Sequence, residues 1–127
     1  MNCLKKNLEM LIPYLVFFFS PILPVLIATG ILVFMDLVTG TAAAKARGEQ
    51  IHSKKMIRTI SKMIFYFIAI ILSKIMECVF FPIIPLATIT AGYIALMEFK
   101  SNIENISSIT GINIWKVLIN KIHQQKK

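Results

Sequence analysis

Residues 10 to 35 form a run without a charged side chain, and this run limits the folding of the chain more than any other feature. A helix that crosses the hydrocarbon layer of a bilayer needs about 20 predominantly apolar residues. The run therefore predicts a helix that spans a membrane. Its length argues against a cleaved signal peptide, whose apolar core has about 7–15 residues.

Prolines divide this run into two parts. Pro13, Pro21 and Pro24 each lack a backbone donor, and a proline tends to kink or end a helix. We expect residues 1–19 to form a separate amphipathic helix in the membrane interface and residues 20–38 to form the span itself. The alternative is one long helix that is kinked and tilted.

Two further apolar runs follow. Residues 63–81 are interrupted only by Lys74 and Glu77, whereas residues 83–97 are uncharged but short, at about 23 Å of helix. The absence of a polar loop between these runs predicts a tight hairpin. The chain is 57% hydrophobic, against about 45–50% in typical soluble domains. We expect an all-α integral membrane protein with two or three transmembrane helices.

Positive charge is concentrated between the first and second runs. Residues 41–62 carry six basic side chains and one acid, and the tail from residue 98 onward also has a basic excess. Since basic loops stay on the cytoplasmic side of the inner membrane, we expect both segments to be cytoplasmic. A nucleic acid partner is not expected, because no stacking aromatic side chains alternate with these cations.

The sequence shows no pattern of catalytic or cofactor-binding residues. Cys3 and Cys78 lack metal or redox spacing, and His52 and His123 have no nearby ligand partner. No hydrolase elbow, phosphate loop or zinc motif is found. We expect no catalysis, no metal and no cofactor.

Asp36 follows the first apolar run, at about the depth where the first span leaves the hydrocarbon. A carboxylate at that depth needs water or a cation. Gly48 is a suitable helix stop and Ser53 a suitable N-cap, so the basic segment should form a helical hairpin. Two antiparallel helices would bring Asp36 near Lys62 or Arg58. The simpler interpretation is a boundary acid beside a solvated loop.

Lys74 and Glu77 are three residues apart, so in a helix they can pair with each other or with a neighbouring subunit. The simpler interpretation places both near the outer end of the second span, where they reach the headgroups.

The tail, residues 98–127, is predicted to contain a basic amphipathic helix capped by Asn113. Its apolar face consists of Trp115, Leu118, Ile119 and Ile122. Such a helix lies on anionic lipid or packs against another subunit. Binding to a soluble partner is the alternative.

Two blocks of residues resemble the toxin-secretion/phage-lysis family of holins. The first block consists of Asp36, Thr39, Gly40, Ala43, Ser53, Lys54 and Lys62. The second block follows the last apolar run and consists of Glu98, Ser101, Glu104, Asn105 and Gly111. The chain departs from the family pattern soon after Gly111, where it has Asn113, Ile114 and Trp115 in place of an expected proline.

This resemblance implies a small phage-encoded protein that accumulates in the inner membrane, forms homo-oligomers and opens lesions through which an endolysin or toxin leaves. The two blocks would then serve assembly, and Lys74 with Glu77 would form a polar pair inside the membrane. A non-lytic membrane scaffold or an antiholin, which binds a partner through its cytoplasmic basic segment, is the alternative function.

Overall fold

The structure is a computed structural model that describes residues 2–50 and 53–124, and the side chains of residues 9–50 and 54–124. Five helices form most of this part: α1 (Asn2–Phe19), α2 (Leu23–Ala46), α3 (Ser53–Val79), α4 (Leu86–Thr110) and α5 (Ile114–Gln124). The described ranges contain no strand, which confirms the predicted all-α class.

The first two helices are separate, as the prolines predict. In the turn between them, the Ser20 N–H donates to the Val16 carbonyl at 2.8 Å and the Ile22 N–H donates to the Phe19 carbonyl at 3.1 Å. Pro24 lies in the first turn of α2, where a missing N–H breaks no intrahelical bond. The interfacial position of α1 stays a prediction.

Among the described residues, α2 is the one helix that is both long and apolar enough to cross a membrane. It continues past the predicted span end at residue 38 to Ala46, and Gly30 and Gly40 lie within the helix without ending it. Gly48 has a φ of +74°, a left-handed conformation that glycine adopts at little cost, and it ends the helix as predicted. The total of two or three spans stays a prediction.

The third helix joins the second half of the basic segment to the second apolar run. It starts at Ser53, whose predicted capping hydroxyl lies outside the described side chains, and it runs for 27 residues to Val79. The chain then turns tightly into α4, with the Ile84 N–H donating to the Phe81 carbonyl at 3.0 Å.

The predicted boundary between the run 83–97 and the tail 98–127 falls inside α4. This helix starts at Leu86 and ends at Thr110, because the polar residues after Met97 include no helix breaker. Gly111 provides the stop, with a φ of +70°. At 25 residues, α4 is about 37 Å long.

α4 packs against both α2 and α3, which also contact each other. Five buried side chains form the apolar core of this bundle: Ile22, Ile70, Ala87, Ala91 and Ile94. The small alanines on α4 allow the helix backbones to approach closely. This apolar cluster lies toward the hairpin end of α3 and α4, whereas the larger group of polar contacts lies toward the other end of the bundle.

The fifth helix folds back against α4. Its start is capped as predicted, since the Asn113 side-chain oxygen accepts a hydrogen bond from the Lys116 N–H at 3.0 Å. α5 has no buried side chain among its described residues.

Candidate functional site

Asp36 is the centre of a polar cluster that joins α2, α3 and α4. Its Oδ2 accepts a hydrogen bond from Lys62 Nζ on α3 at 3.1 Å. Its Oδ1 accepts hydrogen bonds from two residues of α4, Ser101 Oγ at 2.5 Å and Asn105 Nδ2 at 3.1 Å. One carboxylate on α2 therefore binds side chains from both other helices.

Glu98, on α4, is the second acid of the cluster, and its side chain is only 3% exposed. Lys62 Nζ lies 2.7 Å from Glu98 Oε2, so the ammonium bridges Asp36 and Glu98. Tyr66, one turn after Lys62 on α3, donates its hydroxyl to Glu98 Oε1 at 2.8 Å. Lys62 and Tyr66 together fix this carboxylate against α3.

The cluster holds two carboxylates against the single ammonium of Lys62. Glu98 Oε2 lies 2.7 Å from Lys62 Nζ and has no other donor among the described residues. Taking ions out of water costs several kcal/mol each, and removal of one partner from a buried pair leaves an uncompensated charge. The charge balance of the cluster therefore depends on Lys62.

Amide and hydroxyl side chains extend the cluster along α2 and α4. Thr39 Oγ1 donates to Asn102 Oδ1 at 3.1 Å and lies 3.2 Å from the donating Nδ2 of Asn105. The Asn102 Nδ2 donates to the Leu32 carbonyl on α2 at 3.2 Å and to the Glu98 carbonyl at 2.8 Å. These bonds satisfy polar groups that would otherwise be costly to bury.

Gly40 is buried beside the cluster, where a side chain has little room. A Cβ at this position would lie 3.1 Å from Lys55 Nζ and 3.3 Å from Asn105 Nδ2. The glycine therefore allows Asn105 to reach Asp36 and Thr39.

The structure brings together most of the residues selected from the sequence motif: Asp36, Thr39, Gly40, Lys62, Glu98, Ser101 and Asn105. Of the two cations expected near Asp36, Lys62 makes the contact. Lys54 is exposed, and Glu104 makes a loose exposed contact with Lys100 at 3.7 Å. Gly111 ends α4 outside the cluster, and the side chain of Ser53 is not described.

Sequence reasoning missed two members of the cluster, Tyr66 and Asn102. Each lies four residues after a charged member on the same helix, Tyr66 after Lys62 and Asn102 after Glu98. Residues with this spacing lie on one helix face. A search for polar residues at helical spacing from the acids and the lysine would have found both.

Lys74 and Glu77 form a second polar contact at the other end of the bundle. Their Nζ and Oε1 atoms are 2.6 Å apart, and Glu77 Oε2 accepts the Ala87 N–H at 3.1 Å in the first turn of α4. In the same region, the hydroxyls of Ser73 and Thr90 are 2.7 Å apart. These contacts tie the end of α3 to the start of α4.

Another ion pair lies at the end of α2, outside the cluster. Arg47 Nε is 2.7 Å from Glu49 Oε1, and Arg47 Nη1 donates to Ser108 Oγ on α4 at 3.1 Å. The hydrogen bond from Arg47 lowers the pKa of Glu49, and the same bond raises the pKa of Arg47. Both side chains are about half exposed, so solvent screens the pair and its contribution to stability is small.

The fold and the cluster define a small helical protein that encloses polar side chains between α2, α3 and α4 and presents apolar ones, such as Ile31, Phe65 and Leu96, on its outside. A family model described as the bacteriophage holin family matches residues 13–127. The chain belongs to this family and is a holin-like membrane protein. No curated protein and no solved structure matches it.

Proposed function

We propose that this protein accumulates in the inner membrane of a bacterial host, forms homo-oligomers and opens lesions through which an endolysin or toxin leaves the cytoplasm. Membership in the holin family supports phage lysis as the process. The proposed topology has α2, α3 and α4 crossing the bilayer, with residues 41–62 and the C-terminus in the cytoplasm, as the charge distribution favours.

The packing of α3 and α4 supports the proposal that both cross the bilayer. Both are less apolar than α2, but both pack against α2 and against each other, and Lys62, Glu98 and Ser101 face the shared cluster. If α2 crosses the bilayer, the hairpin packed on it enters the bilayer too. Charges near the membrane boundary that face protein rather than lipid are tolerated in such an arrangement.

The observation that carries the proposal is the enclosed polar cluster of Asp36, Lys62 and Glu98. In a single subunit these groups face one another rather than lipid, so the outside of the bundle can remain apolar and stable in lipid. If the helices separate within an assembly, the same groups become available to neighbouring subunits or to water. A water-filled lesion needs polar surface of this kind.

The test is inducible expression in a bacterium, with and without a cytoplasmic endolysin, while membrane potential and culture turbidity are recorded. We expect a delay, then abrupt depolarisation, with lysis only when the endolysin is present. Stable membrane insertion without depolarisation would contradict the proposal and would favour a non-lytic scaffold or an antiholin.

A matched pair of variants tests the role of the cluster in the same assay. Glu98→Gln changes a buried member of the cluster, whereas Glu104→Gln makes the same change at an exposed position of the same helix. We expect Glu98→Gln to shift the time of depolarisation and Glu104→Gln to leave it unchanged. Equal timing for both variants would exclude the cluster from lesion formation.

A further inference from the structure

An apolar groove of about 620 Å³ lies between α4 and α5, on the side of α4 that faces away from the polar cluster. Its walls include Tyr93, Leu96 and Phe99 from α4, and Trp115, Leu118 and Ile122 from α5. The predicted apolar face of α5 therefore forms one wall of the groove. These walls remain open, since Leu96 is 69% exposed and Tyr93 67% exposed.

The groove follows from the way the chain turns at its end. Gly111, with a φ of +70°, lets the chain reverse direction, and the Asn113 cap starts α5 so that it lies beside α4. Tyrosine and tryptophan are enriched where a membrane meets water, because each ring has an apolar body and a polar group. Tyr93 and Trp115 in the groove are consistent with a position at this boundary.

Positive charge borders the groove. Lys100 is one of its lining residues and is 59% exposed at its side chain. Lys116 and Lys121 lie on α5 and are exposed. Glu104, the nearby acid, is 3.7 Å from Lys100 and is itself exposed, so it neutralises this lysine only in part. The groove thus combines an apolar interior with a cationic edge.

We infer that this groove binds an anionic glycerophospholipid, with an acyl chain between α4 and α5 and the phosphate beside Lys100. The apolar walls match the chain, and the charge of Lys100 matches the headgroup. A second copy of the protein is a poorer occupant, because the chain carries a net charge of +8 and α5 is basic, so the facing edges would repel each other.

The inference needs the chain to lie in a membrane, but it does not need the protein to form lesions. It is specific to one groove, and therefore differs from the general attraction of a basic tail to an anionic surface. A test must separate contact with one lipid from accumulation of all anionic lipids near the protein.

Trp115 makes such a test direct, since it is the single tryptophan of the chain and lines the groove. The full-length protein is placed in vesicles of equal parts phosphatidylglycerol and phosphatidylcholine, and one of the two lipids carries brominated acyl chains that quench tryptophan on contact. We expect Trp115 to contact phosphatidylglycerol with about a fivefold preference over phosphatidylcholine, because one lysine near an anionic surface contributes a preference of this size.

Two variants with the same change of charge locate the effect. Lys100→Gln should remove the preference, whereas Lys45→Gln, at an exposed position near the end of α2, should keep it. Equal quenching by the two lipids, or an unchanged preference in Lys100→Gln, would overturn the inference, as would failure of the protein to float with the vesicles. The protein could also prefer phosphatidylglycerol at Trp115 without ever releasing vesicle contents. That result would support the lipid site and would contradict only the proposed lesion formation.

Discussion

Lys62 lies between two carboxylates, so its replacement should disturb the structure more than replacement of either acid. In Lys62→Met, Asp36 and Glu98 would face each other without a cation in a region where Glu98 is 3% exposed. Breaking a buried pair in this way costs about 3–5 kcal/mol. We expect the free energy of unfolding in detergent to fall by about this amount, measured by denaturant titration.

The control for this change is Lys54→Met, which removes an exposed cation of the same helix and should change stability little. The double variant Lys62→Met with Glu98→Gln gives a sharper check, because it also removes one of the two repelling carboxylates. The double variant should be more stable than Lys62→Met alone. The two changes in the free energy of unfolding would then not add, as is usual for residues in contact. Additive losses would show that the three charges do not act together.

Gly40 is expected to be intolerant of a branched side chain. A Cβ there would lie 3.1 Å from Lys55 Nζ and 3.3 Å from Asn105 Nδ2, so valine would displace Asn105 from Asp36. Gly92→Val is the matched control, because a Cβ at Gly92 meets nothing within 4 Å. Overpacking costs about 1–3 kcal/mol, so Gly40→Val should lower the thermal unfolding midpoint more than Gly92→Val. Equal midpoints would contradict the close packing at Gly40.

At the scale of helices, the sequence predicted element types better than their ends. The prolines separated α1 from α2, and Gly48 ended α2 as predicted. The end of α4 was not predicted, because the change from apolar to polar residues after Met97 looks like a membrane boundary. In the structure this change also marks the point where one face of α4 meets Asp36 and Lys62.

The cluster was also predictable only in part, because its contacts depend on how the helices pack. The motif residues were visible in the sequence, and so was a contact between Asp36 and a basic residue. Which cation it would be depended on the register of α2 against α3, which a sequence does not fix. Tyr66 and Asn102 belong to no recognisable motif, and only their helical spacing from Lys62 and Glu98 marks them in the sequence.

The left-handed turn after α2 gives a prediction about the α2–α3 connection. Gly48 has a φ of +74°, a conformation that costs other residues about 1–2 kcal/mol. Gly48→Ala should therefore lower the free energy of unfolding, whereas Gly92→Ala, inside α4, should raise it by up to about 1 kcal/mol through helix propensity. Thermal unfolding of the two variants measures the difference. A stabilised Gly48→Ala protein would mean that this turn has another conformation.

At the scale of the whole molecule, the proposed lesion requires α2 and α4 to move apart, because the polar cluster is enclosed between them and α3. Thr39 and Asn102 contact each other across this boundary, with Oγ1 and Oδ1 3.1 Å apart. In a protein whose natural Cys3 and Cys78 are replaced by serine, the pair Thr39→Cys and Asn102→Cys places two thiols at this contact. A disulfide between them, verified by the loss of free thiol on oxidation, would join α2 to α4. We expect oxidation to block the release of an encapsulated dye from vesicles and reductant to restore it.

The same protein in its two redox states is the internal control, because both states lack the original Thr39 and Asn102 side chains and differ only in the covalent link. Single-cysteine Thr39→Cys, treated with the same oxidant, controls for oxidation of the lipid or of other side chains. If the linked protein releases dye as fast as the reduced one, α2 and α4 stay together in the lesion. The polar surface would then have to come from elsewhere, and the contact between Lys74 and Glu77 at the opposite end of the bundle would be the next region to examine.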